Sequence, residues 1–326
     1  MTTNSGDGLI CAFLLDQQGG GTPLDWEQAS AWQPDQGVLW VHMDYSAPRS
    51  QQWIKEQSGL DEIIQEALLA TETRPRCVHL GEGLIITLRG VNLNPGSDPE
   101  DMVSIRLWAD SRRIISLRHR RLIAVQEIGG EIRAGRGPRS SAEFLVEISE
   151  RLVDRMADVI QSLDEQVDDL EEAVLTEQSH QLRPKLAQIR RQAIMLRRYL
   201  APQREALARI HGEKLNWLGE REQLQLREIA DRTTRYVEDL DSARERAAVT
   251  QEELNSRLSE QMDRRMYVIS IVAALFLPLG FLTGLLGINV GGIPGADAGD
   301  AFFIVTAAMA VLVGLQLVLF KWWRWF

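Results

Sequence analysis

MYVISIVAALFLPLGFLTGLLGIN, residues 266–289, holds no charged or histidine side chain, and neither does AFFIVTAAMAVLVGLQLVLF, residues 301–320. From Tyr267 to Ile288 the first run has about 22 residues, roughly 33 Å as a helix, against a bilayer core of about 30 Å. The second run, about 20 residues, is also just long enough. The chain carries 36 Lys and Arg and 46 Asp and Glu, yet beyond Arg265 only Asp297, Asp300, Lys321 and Arg324 remain. That distribution excludes a wholly soluble protein and predicts two membrane spans. Arg264 and Arg265 precede the first, Lys321 and Arg324 follow the second, and only aspartates lie between. By the positive-inside rule both ends face the cytoplasm and the short connection faces outward. The tail KWWRWF, residues 321–326, has the aromatic and basic character of an inner-interface anchor.

The first 265 residues read as soluble. A formal net charge of −10 argues against nucleic-acid binding, which needs a basic stripe. Two cysteines, Cys11 and Cys77, supply neither a disulfide framework nor a thiolate cage, and suggest a reducing compartment. No basic region precedes the short apolar stretch 9–15, so no signal peptide is expected. Residues 9–15, 38–43, 84–91, 103–109 and 113–117 are β-prone, residues 47–69 carry a helical pattern, and residues 90–99 form a turn-rich connection. After Gly135-Arg136-Gly137-Pro138 the chain changes character, with helices expected over 140–176 and 182–211 and a third from about Leu218. Pro184 suits a helix start; Pro202 predicts a kink or a split in the second helix.

The third helix shows no stop signal before the membrane. Leu226, Ile229, Thr233, Tyr236, Leu240, Ala243, Ala247, Thr250 and Leu254 step by three and four, a heptad-like seam expected to pack on the two preceding helices and on copies of itself. A lone pair of spans encloses nothing, so it is either an anchor or one part of an assembly around an axis. In the first span, Asp263, Met266, Ser270, Ala273, Leu277, Gly280, Gly284 and Gly287 share one face, small or polar except for Met266 and Leu277. Lipid accepts the bulky faces; the small one must meet either a close-packed helix, as Gly280-x-x-x-Gly284 suggests, or a wet axis. Beyond Gly287-Ile288-Asn289, the glycines and Pro294 must turn the chain, leaving the Asn289 amide at the mouth. A ring of such amides would be a neutral, oxygen-rich constriction able to select ions.

Arg265-Met266-Tyr267, Phe276-Leu277-Pro278 and the stretch from Phe281 through Gly287-Ile288-Asn289 resemble the CorA superfamily of divalent-cation channels and transporters, whose first span ends in Gly-Met-Asn. Ile288 replaces the methionine. The following Val290-Gly291-Gly292-Ile293-Pro294-Gly295 resembles the zinc-transporting ZntB branch and lacks the glutamate-bearing loop expected of the magnesium branch. Thr73-Arg74-Pro75-Arg76 before a strand, and the acidic stretch 163–172, fit the family less specifically. The resemblance covers essentially the whole chain. It implies an α/β cytoplasmic domain, a long α-helical stalk and two C-terminal transmembrane helices in a funnel-shaped homopentamer with an Asn289 ring at its outer entrance. The corresponding division is a cytoplasmic α/β domain at 1–138, a cytoplasmic helical region at 139–217, a stalk helix at 218–265, a pore-lining span at 266–289, a periplasmic loop at 290–300, a second span at 301–320 and a cytoplasmic tail at 321–326. The transported ion implied is Zn2+, with Cd2+, Ni2+ and Co2+ as competitors, across a bacterial inner membrane, with proton-driven uptake and efflux both ascribed to that branch.

The residues themselves favour a neutral path. Amide and carbonyl oxygens can hold a divalent ion's reluctant water shell without trapping the ion, whereas thiolates would slow release. All five histidines and both cysteines lie outside the spans. No side chain there titrates near neutral pH, which favours flow down a gradient, with Asp263, Asp297, Asp300 or water as the candidates if protons are coupled. Asp297 and Asp300 either attract cations to the mouth or solubilise the loop; Asp263 forms an acidic inner ring or an arginine salt bridge; residues 164–172 are a solvated face or a regulatory cation site. His180 and His211 read as satisfied surface or interface histidines. The rivals to zinc transport are a magnesium, cobalt or nickel channel of the same build and a membrane-anchored coiled-coil scaffold without a pore. No phosphate loop, metalloprotease motif or nucleophile elbow marks an enzyme, and no cofactor is expected.

Overall fold

The computed structural model describes residues 7–71, 74–176, 181–287, 295 and 299–322. The chain forms two compact units, Met1–Gln251 and Glu252–Phe326. In chain order the first contains β1 (Leu9–Leu15), β2 (Gly21–Pro23), α1 (Trp26–Ser30), β3 (Val38–Asp44), α2 (Pro48–Glu56), α3 (Glu62–Leu69), β4 (Arg76–Leu80), β5 (Gly83–Gly90), β6 (Val103–Ala109), β7 (Arg113–Arg118), α4 (Ile123–Arg133), α5 (Ser141–Thr176) and α6 (Leu182–Gly212). Helix α7 (Glu220–Leu286) belongs to both units, and α8 (Ala301–Trp322) completes the second.

The seven strands make one sheet in the order β2-β1-β3-β7-β6-β5-β4, antiparallel except for the parallel pair β3–β7. Because both faces are covered, the central strands read as continuous apolar runs rather than as alternations. Alternate side chains nonetheless go to different cores. Val38 and Trp40 join Phe13, Leu15, Ile128 and Phe144 on one side, while Leu39, Val41 and Met43 join Ile54, Ile64 and Leu68 on the other. Inside the first core, Trp40 packs on Phe144 with ring centroids 4.8 Å apart and donates its indole N–H to Ser116 Oγ at 2.9 Å.

The five β-prone runs are β1, β3, β5, β6 and β7. Strand β4 begins at Arg76, where the resemblance implied one, and the three-residue β2 carries too little apolar signal to be read. The helical pattern over 47–69 is two helices, α2 and α3. Gly59 lies between them at φ +62°, a left-handed conformation that glycine adopts freely and that no helix continues through. The short α1 rests on a capping box, in which Asp25 accepts from the Gln28 N–H at 2.9 Å and Gln28 Oε1 accepts from the Asp25 N–H at 3.0 Å. In α4, Gly129 and Gly130 mask a stripe of Ala124, Val125, Ile128 and Ile132 that packs into the first core. Pro202 lies inside α6 without splitting it.

Helix α7 carries the seam, and the chain itself covers it. Leu226, Ile229, Thr233, Leu240, Ala243, Ala247 and Thr250 are all buried and Tyr236 is half-buried. Between 226 and 251 the helix runs beside α5 and α6, held by Arg232 to Asp154 and Glu150, by Arg197 to Asp241 and by Arg190 to Gln251. The seam over these residues is an internal three-helix core, so copies of the same helix are not needed to bury it.

Candidate functional site

In the second unit, α7 and α8 are both long and apolar enough to cross a membrane. They lean on each other through one face apiece. On α7 the half-buried residues are Ile271, Ala274, Leu275, Pro278, Leu279 and Leu282, spaced by one, three and four as a single helical stripe. On α8 the matching stripe is Ala301, Val305, Met309, Leu312, Val313, Gln316, Leu319 and Phe320.

The small-residue face of α7 points elsewhere. At about 100° per residue, Asp263, Met266, Ser270, Ala273, Leu277, Gly280, Gly284 and Gly287 centre roughly opposite the stripe that meets α8. All eight are exposed in the single chain. A methyl group built on Gly280 or Gly284 would meet nothing within 4 Å, so this glycine pair does not pack the two helices of one chain together. The hydroxyls are internally satisfied: Ser270 Oγ donates to Met266 O at 2.8 Å, and Thr283 Oγ donates to Leu279 O at 2.9 Å. At the outer end the helix gives way at Gly287, whose N–H still bonds Thr283 O at 2.9 Å. Ile288, Asn289 and Asp297 lie outside the described residues, as does His180. Asp300 is exposed and stands at the start of α8, its carbonyl accepting from the Ile304 N–H at 3.1 Å. An acidic residue there complements the positive end of the helix dipole, a structural role beside any attraction of cations.

At the inner end Asp263 is exposed and forms no ion pair within the single chain among the described residues. The acidic stretch on α5 divides in two: Glu165, Asp169 and Glu172 are exposed, while Asp164, Asp168 and Glu171 face an arginine. Arg246 of α7 donates to Asp164 at 2.8 Å, to Glu171 through Nε at 3.0 Å and Nη2 at 2.7 Å, and also to Asp168. The guanidinium is held in its charged form by these carboxylates, chiefly Glu171 and Asp168. Among the described residues no group of three or more His, Cys, Asp or Glu side chains is placed to hold a metal ion. Burial pushes the Cys11 and Cys77 thiols up to about 12, so both stay protonated at neutral pH. His42, fully buried beside Ser116 Oγ at 2.8 Å, is driven down to about 3, chiefly by burial. His211, expected to be satisfied, has Nδ1 buried with no partner among the described residues.

Two residues that matter were not singled out from sequence. Arg246 neutralises three carboxylates on another helix, a pairing that no local spacing announces. Gln316 is an amide in the middle of an apolar run, and that interruption was the signal; its Nε2 donates to Ala274 O of α7 at 3.4 Å.

Residues 35–321 match the family of the CorA-like Mg2+ transporter protein. The divalent cation transporter CmaX of Pseudomonas aeruginosa is 42% identical over 98% of this chain and 96% of its own length. The zinc transport protein ZntB of Pectobacterium atrosepticum is 40% identical over 94% of this chain and 93% of its own. The structure of full-length CmaX superposes with a TM-score of 0.86 at 40% identity, covering 99% of this chain and 100% of that one.

Proposed function

The chain belongs to the CorA-like Mg2+ transporter family, in its ZntB branch, and from that premise we propose that it carries zinc across the bacterial inner membrane through a pore made by five copies of α7. Transport of divalent cations comes with the family; zinc and the fivefold pore are the proposal. One observation carries it. The face of α7 that holds Ser270, Ala273, Gly280 and Gly284 is turned away from α8 and open along its length. A bulky apolar face in that position would suit lipid. A small, weakly polar one suits a narrow wet axis shared by several copies.

In this arrangement Gly287, Ile288 and Asn289 form the outer constriction, and the five Asn289 amides meet the ion through its water shell. Met266 and Leu277 are the widest side chains along the axis and set its apolar narrowings. Asp263 supplies an acidic ring at the inner end, and Asp297 and Asp300 raise the local cation concentration at the outer mouth. Both chain termini lie in the cytoplasm, as the flanking Arg264, Arg265 and Lys321 favour. With no side chain inside the spans that titrates near neutral pH, zinc runs down its gradient, and any proton coupling passes through these aspartates or water.

Zinc influx into proteoliposomes loaded with a fluorescent chelator tests the reading. Asn289→Ala should cut the initial rate at least tenfold while the protein still inserts and assembles. Cadmium, nickel and cobalt should each compete. The family's name and that of the relative CmaX also admit a broader divalent-cation channel; magnesium flux above zinc flux would select it. Unaltered zinc flux in Asn289→Ala would remove the Asn289 constriction, and native protein that passes no zinc above empty vesicles would leave a membrane-anchored scaffold.

A further inference from the structure

Pro278 lies inside α7 without ending it. A proline there has no N–H, so the carbonyl four residues earlier loses its helical donor. That carbonyl is Ala274 O, and it is the atom to which Gln316 of α8 donates its Nε2 at 3.4 Å. In hydrocarbon no water replaces a missing donor, so a proline-freed carbonyl needs one from a neighbouring group. The three hydroxyls Ser270, Thr283 and Thr306 all bond back to their own helix. Gln316 reaches across. Its Oε1 is buried with no partner among the described residues, a burden that a leucine of similar size would not carry. The offsetting gain is the N–H on Ala274 O.

We propose that Gln316 is a positioning residue for transport, a substitute donor that completes α7 at its proline break and ties α8 to the segment that can bend there. Any change in the angle at Pro278 lengthens or breaks this bond, so Gln316 sets the balance between the bent and straight forms of the span. The bond concerns α7 and α8 alone; its effect on flux rests on the transport reading above.

A double-mutant cycle isolates it. Pro278→Ala restores an N–H that can bond Ala274 O within the helix, so Gln316 should matter in the native background and not in that one. Full-length protein carrying Gln316→Leu, Pro278→Ala or both is compared by hydrogen–deuterium exchange over residues 270–285 and by zinc influx at varied zinc concentration. Gln316→Leu alone should speed exchange about threefold, the factor set by a typical hydrogen bond between membrane helices. It should change the maximal flux by a similar factor with KM for zinc unchanged. In the Pro278→Ala background the same substitution should change neither by more than about a quarter of that. If Gln316→Leu alone does not fold, the double variant should recover the protein. Equal effects in both backgrounds, a double variant that stays unfolded, or a shift in KM alone overturns the proposal. Exchange decides the matter even if zinc is not the cargo, so failure of this inference and failure of the zinc reading are separable.

Discussion

Replacing Glu147 by glutamine should stabilise the protein at alkaline pH, although it removes a partner from an arginine. Glu147 lies on α5 beside Arg151, near Glu131 and Glu143. Burial is the strongest influence on its carboxyl and lifts it to about 7; Arg151 pulls the other way, and the two neighbouring carboxylates add to the rise. Arg151 is 3.6 Å away but is engaged more closely by Glu131 and by Glu127, at 3.2 Å from the latter. The folded form therefore holds this proton more tightly than the unfolded chain, where the group titrates near 4.5. Its contribution to stability is complete below about pH 4.5 and is lost as pH climbs through about 7. Each tenfold change in proton affinity corresponds to about 1.4 kcal/mol. With 26% of the side chain still exposed, about 2 kcal/mol should disappear across that window. The amide of Glu147→Gln cannot ionise, so the variant should exceed the native protein by that amount at pH 8, about 4–8 °C in melting temperature. The two should coincide near pH 4.5. Tryptophan-fluorescence melts of full-length protein in detergent read this directly, since Trp40 packs on Phe144 one turn before Glu147. A variant that melts below the native protein at pH 8 refutes the reasoning, because the ion pair with Arg151 would then outweigh the penalty of burial.

Two further outcomes follow from the packing. Arg246→Met keeps the apolar stem but leaves Asp164, Asp168 and Glu171 facing one another; with side chains 31–62% exposed, the loss should be about 1–2 kcal/mol at low salt. Melts at about 20 mM and about 500 mM salt check this, roughly halving the deficit at the higher strength as screening weakens the repulsion; an undiminished deficit would point to packing instead. Gly284→Leu meets no neighbour within the chain. It should shift the melting temperature of the first unit by less than about 1 °C and reduce zinc flux at least tenfold, whereas undisturbed flux would place this face away from the path.

Much of the architecture was legible in one dimension because it rests on local rules. Two uncharged runs of spanning length, the central apolar strands and the Gly-poor stretch after Pro138 each announce an element through composition and period alone. The resemblance around Gly287-Ile288-Asn289 identified the family for the same reason, since a motif at a helix end is contiguous in the chain. The harder elements were those in which tertiary packing overrides the local signal: α4 forms through a glycine pair because its stripe meets the first core, and β2 and β4 are strands only as edges of a sheet.

Which partner each face meets was not legible at all. The 3–4 seam on α7 could equally have joined copies of the chain, and the helix pairing with α5 and α6 assigned it to the interior. Nothing local in the acidic stretch on α5 announces that Arg246, far away in sequence, stands against Asp164, Asp168 and Glu171. Gly280 and Gly284 could have joined α7 to α8, but the apolar stripe through Ile271 and Leu275 makes that contact and leaves the glycines free. Periodicity specifies a side chain's direction about its own helix axis. What stands in that direction depends on the rotation and placement of another helix, which are long-range quantities that no local spacing encodes.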